Sequence, residues 1–401
     1  MSIGIVTTWE ERGAAYVSKQ YIEALRTQFS VKVFARGGTN SSHGSPLFKE
    51  SACHRSKASN RIYSTYIRKR EFLSWIERNR IEIVFFNEQN WWPPVVWCKQ
   101  QGIRIGAYVD YYTLNTMPYF RLYDLLICNT QRHHSAFDWH PHAYYVPWGT
   151  DVETFAPRLK ETAEKTIFFH SCGLSPERKG TDLLLKAFAD LPANAAQLII
   201  HSQRKLQDYA SSALGCTNDD LTNRGIRFIE QTVSAPGLYH LGQVYVYPTR
   251  LEGIGLTILE ALSCGLPVIV PDDGPMNEFV TNERGKLVGV ERRHARADGY
   301  YWPMNVVSVD DLRRKMLFYV ENPFAILTEA TNARDYAKSQ LDWRERYPEV
   351  IHAFEDAMSR PVRTEASICQ EIIEREKSLA ARAKRFVTEV DSLLGRTTRK
   401  Y

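Results

Sequence analysis

The stretch from Pro248 to Ile269 restricts the fold more than any other part of the chain. It reads as the end of a strand, a turn carrying Gly253 and Gly255, a helix, a glycine stop at Gly265 and a second strand. Glu252 falls in the turn and Glu260 about two helical turns further on, so the two carboxylates do not form a tight acid pair. The backbone N–H groups of Gly255, Leu256 and Thr257 lie where the helix begins. A helix start has unpaired donors and a partial positive charge, so it suits a phosphate or a polar sugar.

The same alternation runs through the whole chain. The first half opens with a buried strand at Ile3–Thr7, a turn at 10–13 and a helix over Tyr16–Phe29. Strands follow at Val31–Ala35, Ile81–Phe86, Ile103–Val109, Leu125–Cys128 and Tyr144–Val146. The second half has strands at Thr166–His170, Gln197–His201, Ile226–Ile229, Val244–Tyr247 and Val268–Val270, with a helix over Asp182–Ala189. Strands alternating with helices imply parallel, doubly wound sheets, which bind ligands beyond the C-terminal ends of their strands. Residues 37–60, rich in Gly, Ser, Thr and Asn, read as a loop.

The motif Pro-x3-Glu-Gly-x-Gly-Leu-x3-Glu-Ala-x2-Cys-Gly-x-Pro-Val resembles the Glu-x7-Glu segment of glycosyltransferase family 4. These are retaining enzymes of the GT-B fold. The resemblance covers most of residues 1–358 and is most specific over 166–290. It implies an α/β chain of two Rossmann-like doubly wound domains facing across a cleft, plus a C-terminal helical extension. The domains would be 1–148 on the acceptor side and 149–341 on the donor side, then a crossover helix at 342–360 and an amphipathic extension at 361–401. Val146-Pro147-Trp148-Gly149-Thr150-Asp151 resembles the family's interdomain segment, with Trp148 in place of the usual asparagine.

Transfer from a nucleotide sugar requires positive groups at the departing diphosphate. Arg178 and Lys179, in Pro176-Glu177-Arg178-Lys179-Gly180, match the family's basic phosphate-binding pair. Arg offers a planar fork and Lys a compact charge. Carried over from the family, Glu252 contacts the transferred sugar and Glu260 the ribose hydroxyls. Gly253 and Gly255 permit close backbone approach, and Gly13 resembles the glycine-bearing loop of the first domain. Relatives often carry a histidine after a middle strand of that domain. Here Gly106–Tyr112 occupies the region, and Asp110 is the candidate for contacting sugar or acceptor. The alternative for Asp110 is a helix or turn cap. His133 and His134 read as surface residues on a helix. Trp91 and Trp92 suit either sugar stacking or the core.

Further expectations concern cofactors and partners. The chain has no Asp-x-Asp triplet, and the predicted enzyme uses a UDP- or GDP-sugar with no metal or other cofactor. The acceptor would be a glycan, a lipid-linked molecule or a protein. No nucleic-acid motif is present. Residues 1–150 hold 18 Lys and Arg against 11 Asp and Glu, with a basic, aromatic-rich stretch at 49–80. That stretch suggests contact with an anionic membrane surface, against the plainer reading of a solvated helix face. Seven scattered cysteines and no apolar run of membrane-spanning length suggest a cytoplasmic protein, with peripheral contact to the inner face of a membrane as the further expectation. Ile372, Leu379, Phe386 and Leu393 recur every seven residues. They predict an amphipathic helix packed on the protein's own surface, with self-association through 364–394 as the lesser reading. A non-catalytic GT-B scaffold binding a nucleotide sugar or assembling a polysaccharide complex is the alternative function.

Overall fold

The computed structural model describes residues 1–9, 13–36, 53–158 and 164–395. The chain divides into two compact units. Unit 1 comprises Met1–Pro147 and Arg346–Tyr401, and unit 2 comprises Trp148–Glu345.

Unit 1 is built on strands β1 (Ser2–Thr8), β2 (Ser30–Arg36), β3 (Cys53–Arg55), β4 (Ile83–Phe86), β5 (Arg104–Tyr108), β6 (Leu125–Cys128) and β7 (Ala143–Tyr145). They form one parallel sheet in the order β3-β2-β1-β4-β5-β6-β7. Ile3, Ile5, Ile83, Val84, Leu125 and Leu126 are fully buried, as strands covered on both faces require. Helices α1 (Gly13–Leu25), α2 (Lys69–Arg78), α3 (Pro93–Gln100) and α4 (Gln131–Ala136) connect them. Helix α1 starts and ends earlier than the sequence pattern suggests, and Phe29 closes its last turn onto Leu25.

Unit 2 repeats the plan. Strands β8 (Thr166–Gly173), β9 (Ala196–Ser202), β10 (Ile226–Glu230), β11 (Val244–Val246), β12 (Val268–Pro271) and β13 (Gly285–Val288) form a parallel sheet ordered β10-β9-β8-β11-β12-β13. Its helices include α5 (Thr181–Ala189), α6 (Gln207–Leu214), α7 (Asn218–Asn223) and α8 (Leu256–Ser263). An antiparallel pair, β14 (Val290–His294) and β15 (Met304–Val307), precedes α9 (Val309–Glu321) and α10 (Pro323–Gln340). The two ends of unit 2 are tied together. Trp148 packs on Trp343 with ring centroids 4.5 Å apart, and Thr150 bridges to Asp342.

The helix expected from Asp342 to Met358 is divided. A 3-10 turn, Trp343–Arg346, precedes α11 (Tyr347–Ser359). Pro348 sits in the first turn of α11, where its missing N–H costs nothing.

The C-terminal stripe is also corrected. The extension forms two helices, α12 (Ala366–Lys377) and α13 (Leu379–Leu393), which part at Ser378. Ser378 is extended and caps α13 by accepting from the Ala381 N–H. Ile372 is buried, but Leu379, Phe386 and Leu393 are exposed. The opposite face of α13 turns inward because its acids have partners in unit 1. Asp391 pairs with Arg61 at 2.9 Å, Glu389 with Arg68 at 2.9 Å, and the Ser392 hydroxyl accepts from the Ser59 N–H. Two cations of the basic 49–80 stretch are thus directed at α13, and Phe72 and Trp75 of that stretch are core residues. Residues 49–52 lie outside the described residues. No helix among the described residues is long and apolar enough to cross a membrane.

Candidate functional site

In unit 2 the loop after β8 is stitched to the loop after β11. The Arg250 N–H donates to the Arg178 carbonyl at 2.7 Å, and the Thr249 hydroxyl oxygen lies 3.2 Å from the same carbonyl. Gly180 makes this approach possible. Its φ is +69°, and a Cβ there would sit 2.0 Å from the Pro248 carbonyl oxygen. The Arg250 guanidinium grips Asp182, in the first turn of α5, through two hydrogen bonds of 2.8 and 2.7 Å.

This stitching brings Arg178, Lys179 and Glu252 together. The Glu252 Oε1 accepts from Lys179 Nζ at 2.6 Å and from Arg178 Nη1 at 3.1 Å. It also accepts from the Thr249 hydroxyl at 2.6 Å and the Tyr247 hydroxyl at 3.0 Å. Lys179 and Glu252 are largely buried, whereas the Arg178 side chain is 38% exposed. Arg178 is therefore the more accessible cation to an arriving anion.

The charges follow from this geometry. Burial pushes the Glu252 carboxyl up, but Lys179 and Arg178 outweigh it and hold it at about 2. Burial and the neighbouring Arg178 lower the Lys179 ammonium to about 8, against the pull of Glu252. Glu252 raises Arg178. At neutral pH the cluster holds two cations and one anion.

Helix α8 starts beside this cluster. Gly255, at φ +91°, forms its N-cap, and no side chain caps the start. Leu256 and Thr257 open the first turn, half-buried, and Gly253 is half-buried in the preceding loop. A helix start without a side-chain cap can direct its N–H groups at an anion. Glu260, a turn further on, accepts from the hydroxyl of Tyr239. Burial raises its carboxyl to about 6. The Glu230 side chain, at the end of β10, is committed to the Leu206 N–H.

The remaining candidates lie in unit 1. Gly13 is the first residue of α1; residues 10–12 of its turn lie outside the described residues. Asp110 follows β5. Its carboxyl is pushed well above the ordinary range, first by burial and then by Glu88, which follows β4. Arg36 braces this strand end. It donates to the Glu88 carbonyl and the Gln89 side chain, both at 3.0 Å, and to the Asn87 carbonyl. The surface reading of His133 is wrong: it is buried, with Nδ1 2.9 Å from the Tyr112 hydroxyl. Trp91 and Trp92 belong to the core, where Trp92 meets Tyr119 and Phe120 edge-on. Among the described residues, no three His, Cys, Asp or Glu side chains are grouped to hold a metal ion.

Sequence reasoning missed Tyr247, Thr249 and Tyr239. The signal for the first two was present, since a tyrosine and a threonine end an apolar strand just before Glu252.

Residues 164–299 match the family of glycosyl transferases group 1. The chain is 29% identical over 220 residues to a GDP-mannose-dependent monoacylated alpha-(1-6)-phosphatidylinositol monomannoside mannosyltransferase of Corynebacterium glutamicum, covering 49% of this chain and 53% of that protein. It is 29% identical over 174 residues to the lipopolysaccharide core biosynthesis mannosyltransferase LpsB of Rhizobium meliloti, covering 37% and 47%. The chain thus spans about half the length of the curated relatives it matches. Among solved structures, sucrose-phosphate synthase from Thermosynechococcus elongatus superposes with a TM-score of 0.68 at 17% identity, covering 90% of this chain and 99% of that one. Anabaena HepE in complex with UDP also gives 0.68, at 15% identity over 88% and 99%. The core of unit 2 is thus similar to the group 1 glycosyltransferases, and the chain, with its two Rossmann-like units, has the GT-B fold.

Proposed function

We propose that the chain transfers a sugar from a nucleoside-diphosphate donor to an acceptor hydroxyl in glycan or glycolipid synthesis, with retention of anomeric configuration. The observation that carries this reading is the convergence of Arg178 and Lys179 on Glu252 beside the start of α8. As the glycosidic bond breaks, negative charge grows on the diphosphate. Fixed cations and N–H dipoles stabilise that charge without reorganising. Lys179, Arg178 and the N–H groups of Leu256 and Thr257 would receive the diphosphate, with Gly253 and Gly255 letting it approach. Glu252 would turn from its cations to a sugar hydroxyl, and Glu260 would hold the ribose. These cations supply the charge that a divalent ion supplies elsewhere, so we propose turnover without metal.

Relatives named for GDP-mannose make it the first donor to test, ahead of UDP-sugars. The acceptor would be a glycan, a lipid-linked molecule or a protein. In unit 1 the end of β5, with Asp110 beside Glu88, is the proposed acceptor contact, together with the glycine-bearing start of α1 at Gly13. The protein would work in the cytoplasm, peripherally on a membrane's inner face. The test is sugar release and transfer from GDP-mannose and UDP-glucose in excess EDTA, with the anomer of the product read by NMR. Donor binding without sugar release would make the chain a scaffold. Activity restored only by Mg2+ or Mn2+ would refute metal independence, and an inverted product would refute retention.

A further inference from the structure

Tyr239 opens a single 3-10 turn, Tyr239–Leu241, between β10 and β11, and it is buried. Three rings hold it edge-on: Phe169 of β8 at 5.7 Å, Tyr245 of β11 at 5.6 Å and Phe155 at 6.3 Å between centroids. An aromatic side chain so enclosed keeps one rotamer. Its hydroxyl is therefore delivered to a fixed point, where it donates to Glu260 Oε2. Among the described residues no hydrogen bond reaches Glu260 Oε1, and the residue is half-buried. One oxygen is anchored and the other is left to accept. With two lone pairs, that oxygen can take both hydroxyls of a vicinal diol.

The charges support the same arrangement. Burial raises the Tyr239 phenol well above its ordinary range, and Glu260 adds to this, so Tyr239 stays a donor. Burial also raises the Glu260 carboxyl, opposed first by the Tyr239 hydrogen bond and then by Lys179. Tyr245, beside both, is itself kept protonated by burial. Cys264 follows on the C-cap of α8. Arg334 of α10 is committed to the carbonyls of Val152, Phe155 and Ser263.

We propose that Tyr239 is the positioning residue for the donor's ribose: it aims Glu260 and keeps that carboxylate ionised. This role rests on Glu260 being the ribose contact. The hydrogen bond does two separable things. It fixes which oxygen faces the ligand, and it stabilises the charged form of a group that burial drives towards protonation. A protonated Glu260 would lose the charge-assisted bonds that a diol makes to a carboxylate. Tyr239 acts through Glu260 alone, because the partners of Lys179, Arg178 and Glu252 lie on the other loops. The hold on the diphosphate should therefore not depend on it.

The test is calorimetric titration of the full chain with GDP, UDP, their 2′,3′-dideoxy analogues and inorganic pyrophosphate, at graded pH from about 5 to about 8. Wild type, Tyr239→Phe and Glu260→Gln are compared. Tyr239→Phe keeps the ring, and its melting temperature confirms that it folds. We expect it to weaken the better-bound nucleotide about tenfold at neutral pH. The acid limb of nucleotide affinity should move upward by about one pH unit. Pyrophosphate and the dideoxy analogues should change by less than about twofold. Tyr239→3-fluorotyrosine, a stronger donor of nearly the same size, should move the limb downward, and it decides alone if Tyr239→Phe does not fold. A tyrosine that only fills space would leave the limb in place and weaken every ligand together, which refutes the role. An unchanged limb in Tyr239→Phe, with Glu260→Gln weakened for nucleotide, refutes positioning but leaves the ribose contact standing. Wild-type nucleotide affinity in Glu260→Gln, or no nucleotide binding at all, overturns the ribose contact and this role with it.

Discussion

Lys179 Nζ lies 2.6 Å from Glu252 Oε1, so the most buried cation of the site is already neutralised before any donor arrives. An incoming diphosphate must take Lys179 and Arg178 from Glu252, and the displaced carboxylate becomes available to the sugar. Glu252→Gln should therefore separate binding from turnover. We expect transfer to fall by about 10²-fold or more, while the affinity for GDP or UDP holds or rises because the cations no longer have an internal rival. Calorimetric titration beside a turnover assay checks both arms. The change also leaves a buried cation unpaired, with an expected cost of about 3 kcal/mol in urea unfolding.

Lys179→Ala should lower turnover by about 10² to 10³-fold, as loss of one preorganised donor to a developing anion does. Near-wild-type transfer would remove Lys179 from the diphosphate assignment.

The Lys179 ammonium titrates at about 8, below its ordinary range. Its charge is complete well below that pH and is lost above it. Diphosphate affinity should therefore fall as pH rises through about 8. Lys179→Arg, whose charge persists, should flatten this limb. Stability moves the other way. A lowered folded-state value means the native state binds the proton less well than the unfolded chain, so this group favours folding increasingly as pH rises from about 8 towards the ordinary lysine range.

Glu260 gives the acid limb. Its carboxyl is raised to about 6, so it is ionised at neutral pH and protonated below that value. Nucleotide affinity should decline as pH falls through about 6. The stability contributed by protonated Glu260 is complete below the ordinary carboxylate range and is lost as pH rises through about 6. Mild acid should therefore raise this group's contribution to the melting temperature while weakening the ligand-induced shift. Glu260→Gln should remove both trends in melts at graded pH.

Gly180→Ala tests the stitching of the two loops. The left-handed backbone alone costs about 1–2 kcal/mol for a side chain. The overlap with the Pro248 carbonyl must also be relieved by moving the loop. We expect at least about 2 kcal/mol lost in urea unfolding, together with a drop in turnover. Asn at this position, which tolerates the left-handed region better, should be no rescue because the overlap persists.

Much of the architecture was legible because its signals are local. Buried strands such as Ile83–Phe86 and Leu125–Cys128 are short apolar runs between turns, and the turn before α8 carries its glycines in sequence. What escaped depends on partners far along the chain. The seven-residue spacing of Leu379, Phe386 and Leu393 defines a stripe but not the side facing inward. That choice is made by Arg61, 330 positions from Asp391, and by Arg68, 321 from Glu389. His133 read as exposed because its helix is short and polar, yet the Tyr112 hydroxyl beside it made burial affordable. The pairing of Arg178 and Lys179 with the Glu252 segment was implied by the family resemblance, and the adjacency of β8 and β11 in the sheet brings it about. The convergence of four donors on one oxygen was not, since it requires Tyr247 and Thr249 at distances that no spacing rule encodes.

The clamp of Trp148 on Trp343 has a bearing on how this chain can be taken apart. Unit 2 enters and leaves through one doorstep, with its first and last residues held beside each other by a ring pair and a strand bridge. A gene fragment encoding 148–345 would carry both halves of that latch. It could be excised, or its old ends joined and new ones opened at an exposed turn, without unravelling the sheet that carries Lys179 and Glu252.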